Sequence, residues 1–143
     1  MPRSTRGESS GMNLWDSLTE QRWNMKLDDI YIDLLKVVSK AGADVSAPIE
    51  SERFFSRIVE SFNGTREELL RHVEANLGRW FKRVDAVPRW LQEAEWQFDE
   101  DAPMVFIGQL NVPRTAGYFH DDAALFVFLN PKNGKIKTVI QMA

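Results

Sequence analysis

A chain of 143 residues with 43% hydrophobic and 27% charged residues has the make-up of one globular domain, which excludes a collagen, a coiled coil or a wholly disordered protein. It has no cysteine, which excludes a disulfide framework, a thiol nucleophile and a thiolate metal site. A net charge of −3 speaks against general nucleic-acid binding, which needs clustered Lys and Arg to neutralise phosphates.

Residues 1–11, MPRSTRGESSG, carry two arginines and no apolar core, so they do not read as a secretory signal. They read as a disordered tail, or as an added leader ahead of a natural start at Met12. No apolar run approaches the roughly 20 residues of a membrane span, and without an export signal the expected compartment is the cytoplasm. Ser17 and Glu20 match a capping box that opens a short helix through Trp23. Leu27, Ile30, Tyr31, Leu34, Leu35 and Val38 repeat at helical spacing, Asp28 and Asp29 suit the helix start, and Gly42 suits its end. Pro48 fits the first turn of a second helix, whose apolar face is Phe55, Ile58, Val59 and Phe62. Thr65 and Glu68 form another capping box. The helix they open carries the stripe Leu69, Val73, Leu77, Trp80, Phe81 and Val84. Gly78 within it suggests a close approach by a neighbour, and Pro88 ends the helical region.

The period then changes. Met104–Val112, bounded by Pro103 and Pro113, reads as a strand, with Gly108 marking a bulge or a close backbone approach. A second strand lies within Phe119–Leu129. Asn130–Lys135 has hairpin turn chemistry, Asn133-Gly134 above all. In the final strand Ile136, Thr138, Ile140 and Met142 alternate with Lys135, Lys137 and Gln141, the pattern of a half-exposed strand. Glu95–Phe98 adds a further short strand. Helices followed by strands predict an α+β fold. The expectation is one domain over 12–143, with a helical part (12–87) packed on an antiparallel sheet of three to four strands (88–143).

Chemistry-bearing motifs are sparse. There is no GxSxG elbow, no GxGxxG and no GxxxxGK[ST] loop. His72 reads as a helix-surface residue. His120-Asp121-Asp122 is the one tight group of acid, base or metal-type side chains, and nothing completes a ligand shell around it. Its plainer reading is a polar loop with an Asp capping backbone amides. Asp99-Glu100-Asp101 lacks the facing geometry of paired catalytic carboxylates. The expectation is therefore a protein that is not an enzyme and uses neither cofactor nor metal. Of the tryptophans, Trp80 is read as core. Trp90 and Trp96 are read as a seal between helices and sheet, or alternatively as interface anchors.

Charge is unevenly spread. Residues 93–123 hold seven acids against Arg114 alone, while 65–92 carry a net +2 and 124–143 a net +3. The acidic block would repel phosphates and steer a basic protein partner, if its side chains point outward. The plain alternative is ordinary solubility charge.

The stretches Pro88–Trp96, Pro103–Gln109 and Phe119–Phe128 resemble the YwqG-like group of small bacterial proteins, with their "EW…PM.F.GQ…LFVF" layout on a sheet. The likeness covers residues 88–143; the helical part resembles no family. Small proteins of this kind are taken to be immunity proteins of polymorphic toxins. The resemblance thus implies a protein that neutralises a cognate toxin acting in the cytosol, by occluding its active site. The partner would present a basic surface to Glu95, Asp99, Glu100, Asp101, His120, Asp121 and Asp122. No nucleic acid or membrane is implied. The alternatives are a small-molecule-binding protein or enzyme with a pocket between sheet and helices, using His120 and Asp122, and a structural subunit of a larger assembly.

Overall fold

The computed structural model describes residues 25–143. The N-terminal tail, Met12 and the helix expected from Ser17 to Trp23 lie outside the described residues. Helix α1, Leu27–Val38, buries Leu27, Ile30, Leu34 and Val38. Its first turn carries Asp28 and Asp29, where the exposed N–H groups favour anions, and Asp29 Oδ2 accepts the Lys26 N–H at 2.9 Å. The helix tightens into a 3-10 turn over Ser39–Ala41 and stops at Gly42, with φ of 78°. Gly42 also admits a close neighbour: the Trp90 Nε1–H donates to its carbonyl at 2.7 Å, and a Cβ there would lie 3.3 Å from Pro88 Cδ.

Helix α2 spans Ile49–Ser61 and buries Phe55 and Val59. Pro48 precedes it as the cap residue and does not enter the first turn. Helix α3, Arg66–Trp80, opens with the expected capping box: the Glu68 N–H donates to Thr65 Oγ1 at 3.1 Å, and the Thr65 N–H donates to Glu68 Oε1 at 2.7 Å. The helix is shorter than its stripe suggests. Leu69, Val73, Leu77 and Phe81 are buried, but Val84 is 68% exposed. The chain has by then turned to the sheet edge, where the Val84 N–H donates to the Phe106 carbonyl at 3.0 Å. Gly78 has no heavy atom within 4 Å of a Cβ position, so no neighbour approaches it.

The C-terminal part is an antiparallel meander in the order β3-β4-β5: β3 is Val105–Val112, β4 is Ala123–Asn130 and β5 is Lys135–Met142. A register shift between Phe106 and Gly108 is the bulge expected at this glycine. The short strand expected at Glu95–Phe98 contributes only Phe98 to β1, Phe98–Asp99, which pairs with β2, Ala102–Pro103, in a separate two-stranded ribbon. The molecule is therefore α+β, as its element order predicts. One continuous core joins the layers. Trp96 packs edge-on against Phe81 and Phe128 at 5.2 and 5.4 Å, and its Nε1–H donates to the Met104 carbonyl. Trp90 lies 4.4 Å from Phe126 while bonded to Gly42. These two indoles link helices to sheet, each satisfying its N–H on a backbone oxygen. Trp80 is half-buried at 5.6 Å from Phe54, and His72 is exposed.

Candidate functional site

Carboxylates in a tight stretch of sequence repel one another, so a fold brings cations and amide donors to them where it can. Asp99 shows this fully. Far from facing outward, it is buried and accepts from Asn133 Nδ2 at 2.9 Å and Asn130 Nδ2 at 2.8 Å, with Lys135 Nζ at 3.4 Å. The two amide hydrogen bonds, Asn133 first, and the Lys135 charge outweigh the opposing effect of burial and lower its pKa from 3.8 to about 2. Asp99 thus ties the ribbon to the β4–β5 turn. Asp101 is bound to α2: its N–H donates to Glu50 Oε2, Arg57 donates to its carbonyl, and Arg53 and Arg57 each lie 3.6 Å from its carboxylate. Glu100 and Asp101, the two residues of this turn, have φ of 54° and 58°. A type I′ hairpin needs positive φ at both positions, usually in Asn-Gly. Here the contacts to Asp99 and Asp101 hold the less favourable Glu-Asp pair in place.

The other expected contacts lie at the opposite end of β4. Asp122 Oδ1 accepts the Arg114 N–H at 2.7 Å, and its carbonyl accepts the Ala143 N–H at 2.9 Å. It therefore closes the loop between β3 and β4, the capping role read as the plainer alternative. Glu95 Oε2 accepts from Gln141 Nε2 at 2.7 Å. Glu100, His120 and Asp121 are exposed, with no side-chain partner among the described residues. The seven residues do not form one patch. Those around Asp99 and those around Asp122 are separated by the length of β4, about 25 Å for eight residues, and four of the seven are engaged inside the molecule. Among the described residues no three His, Asp or Glu side chains are placed to hold a metal ion.

The larger surprise is β5. Its alternation is real, but the faces are exchanged. Gln141, expected outside, is 1% exposed, whereas Ile136 and Ile140 are 64% and 51% exposed. The cause lies under the strand. What packs there is the segment 91–99, irregular as far as β1, whose backbone groups need partners. Gln141 Oε1 accepts the N–H groups of Leu91 and Gln92, both at 2.9 Å, and its Nε2 donates to the Glu93 carbonyl and to Glu95, both at 2.7 Å. Lys137 Nζ donates to the Phe98 carbonyl at 2.6 Å, and Lys135 reaches Asp99. A polar ladder on the inner face of β5 therefore carries the segment.

Strand alternation then drives the aliphatic residues to the other side. Leu110, Leu125 and Ile140 lie side by side in register, as do Val105, Leu129 and Ile136, and Val112, Ala123 and Met142. Leu110 is 61% exposed. Ile136 and Ile140 are likewise more than half exposed, while Ala123 at one end of the face is buried. Period-2 alternation could reveal the stripe in the sequence; which side it faces could not be read there.

No protein-family model, curated protein or solved structure matches this chain.

Three residues of the stretches behind the YwqG-like expectation, Trp96, Phe106 and Gln109, occupy packing positions. Trp96 and Phe106 are core, and Gln109 pins Arg89 to β3, accepting its N–H at 2.8 Å and donating to its carbonyl at 3.2 Å. The small-molecule alternative places a pocket at His120 and Asp122. A cleft of about 310 Å³ beside β3 includes Asp122, Arg89 and Asn111 but not His120, and no helix lines it. Among the described residues no helix is long and apolar enough to cross a membrane.

Proposed function

We propose that this protein is a binding module of the immunity type, which neutralises a bacterial toxin in the cytosol by covering its active site and carries out no chemistry of its own. The observation that carries the reading is the outer face of the three-stranded sheet, on which, among the described residues, Leu110, Ile136 and Ile140 are each more than half exposed. Contiguous exposed apolar surface of this kind marks an interaction site. Strands about 4.8 Å apart and eight residues long make a face of about 400 Å², roughly half of the 800 Å² that each partner buries in a standard interface. The partner must then reach beyond the strands, onto the loop between β3 and β4, where Tyr118, His120 and Asp121 are exposed. Asp121 supplies the acidic contact for a basic toxin rim. The toxin surface that fits is an apolar patch edged by Lys or Arg.

The test first asks whether the neighbouring gene encodes a toxin domain, and then uses cells expressing that domain. The unaltered protein restores growth, and the double variant Leu110→Glu, Ile140→Glu does not, although both sites face solvent and the variant keeps its fold by circular dichroism. Full protection by the variant removes the sheet face from the reading. No protection by the unaltered protein removes the toxin. A dimeric mass that becomes monomeric in the variant makes a second copy the occupant of the face, and the reading fails.

A further inference from the structure

The two basic blocks of the sequence find no use in the surface described above, yet the fold brings them together. A cleft of about 260 Å³ opens between the end of α3, the strained β1–β2 turn and the β4–β5 turn. Arg79 and Lys82 of the first block and Lys132 of the second line it, and none of their side chains has a partner among the described residues. Phe54 and Trp80, half-buried and edge-to-face at 5.6 Å, line it as well. Glu100, exposed and unpaired, is the one free carboxylate in the lining, since Asp99 is ion-paired with Lys135 and hydrogen-bonded by two asparagines.

We propose that this cleft binds a small aromatic anion of mononucleotide type. Unpaired cations placed around one hollow repel one another, and an anionic group relieves that repulsion while gaining charge-assisted hydrogen bonds. Phe54 and Trp80, set perpendicular to each other, line the cleft with apolar ring atoms against which a ligand ring can pack. Glu100 accepts hydrogen bonds, so the ligand that suits the whole lining carries both an anionic group and a ring with N–H donors. The volume is just below the roughly 300–1,000 Å³ of ordinary ligand sites, which favours a small ligand. The turn that presents Glu100 has positive φ at two non-glycine residues, and such strain, held in place by contacts to α2 and to the β4–β5 turn, is a recurrent feature of ligand clamps. The cleft touches the sheet face at Val105 but does not rest on the reading of that face as a toxin site.

The experiment is a titration of the full chain with AMP followed by amide chemical shifts. The expected result is saturable shifts around 79–82, 99–105 and 130–132, with adenosine and inorganic phosphate each binding at least about tenfold more weakly than AMP. Benzoate, planar and anionic but without a ring N–H donor, also binds more weakly. Lys82→Ala with Lys132→Ala weakens AMP binding about tenfold or more and leaves the remaining spectrum in place. An absence of shifts at about 10 mM AMP overturns the proposal. So does AMP binding that the double variant leaves unchanged, or inorganic phosphate that matches AMP, which reduces the cleft to a generic anion trap.

Discussion

The two faces of the sheet are built from the same three strands and obey opposite rules. The inner face combines the rings of Phe106, Phe126 and Phe128 with a polar ladder, Gln141, Lys137 and Lys135, in which the side-chain hydrogen-bonding groups are engaged. The outer face is mostly aliphatic, with Gly108 and Thr138 in its middle row, and leaves Leu110, Ile136 and Ile140 more than half exposed. A strand usually turns its polar residues to water. Here β5 turns them inward, because the segment beneath it is irregular and its backbone N–H and C=O groups cost more to leave unpaired than exposed isoleucines do. The comparison teaches that the apolar stripe of a strand need not be its buried face when the neighbouring layer lacks secondary structure.

Three measurements sharpen or break this contrast. The largest effect is expected for Phe128→Ala on the inner face, a loss of about 3–5 kcal/mol of unfolding free energy. Ile140→Ala, on the outer face of the neighbouring strand, should cost less than about 1 kcal/mol, the worth of a cross-strand pair. Equal losses in denaturant titrations would mean that the outer face is covered in solution.

Next comes Gln141→Leu, which fits the space but strands the N–H groups of Leu91 and Gln92 and the carbonyl of Glu93. A loss of about 2–4 kcal/mol is expected. If the leucine variant is instead as stable as the parent, the ladder is not what holds the segment. The smallest effect depends on pH. Asp99 has a folded pKa of about 2 against an ordinary 3.8, so its ionised form stabilises the fold fully above pH 4 or so. That contribution is lost as pH falls toward 2. The gap in melting temperature between the parent and Asp99→Asn should therefore be flat at neutral pH and close between about pH 4 and pH 2. A gap independent of pH in that range would remove the ionised carboxylate as its cause.

Much of the architecture is legible in the residues. The Thr65 and Glu68 box, the Leu27–Val38 stripe, the Asn133-Gly134 turn and the Gly108 bulge all appear where their chemistry places them. Trp90 and Trp96 join helices to sheet as expected. The end of α3 is misread because Val84 continues the stripe by coincidence of spacing. The candidate contacts are less legible. Asp99, Asp101, Glu95 and Asp122 form acidic runs in sequence, but their partners, Asn130, Arg57, Gln141 and the Arg114 amide, are between eight and 46 residues away. The cationic cleft is invisible for the same reason, since Arg79 and Lys132 belong to separate blocks.

By itself the sequence determined roughly where the three helices and the three strands of the meander arise and that they combine as α+β. Capping, periodicity and turn chemistry act over a few residues and need no knowledge of what lies opposite. Only the tertiary structure decided which side of β5 meets the core, which carboxylates are neutralised and which cations converge. Those outcomes depend on desolvation and pairing across distant segments, and a buried backbone group or charge takes whatever partner the packing brings within about 3 Å.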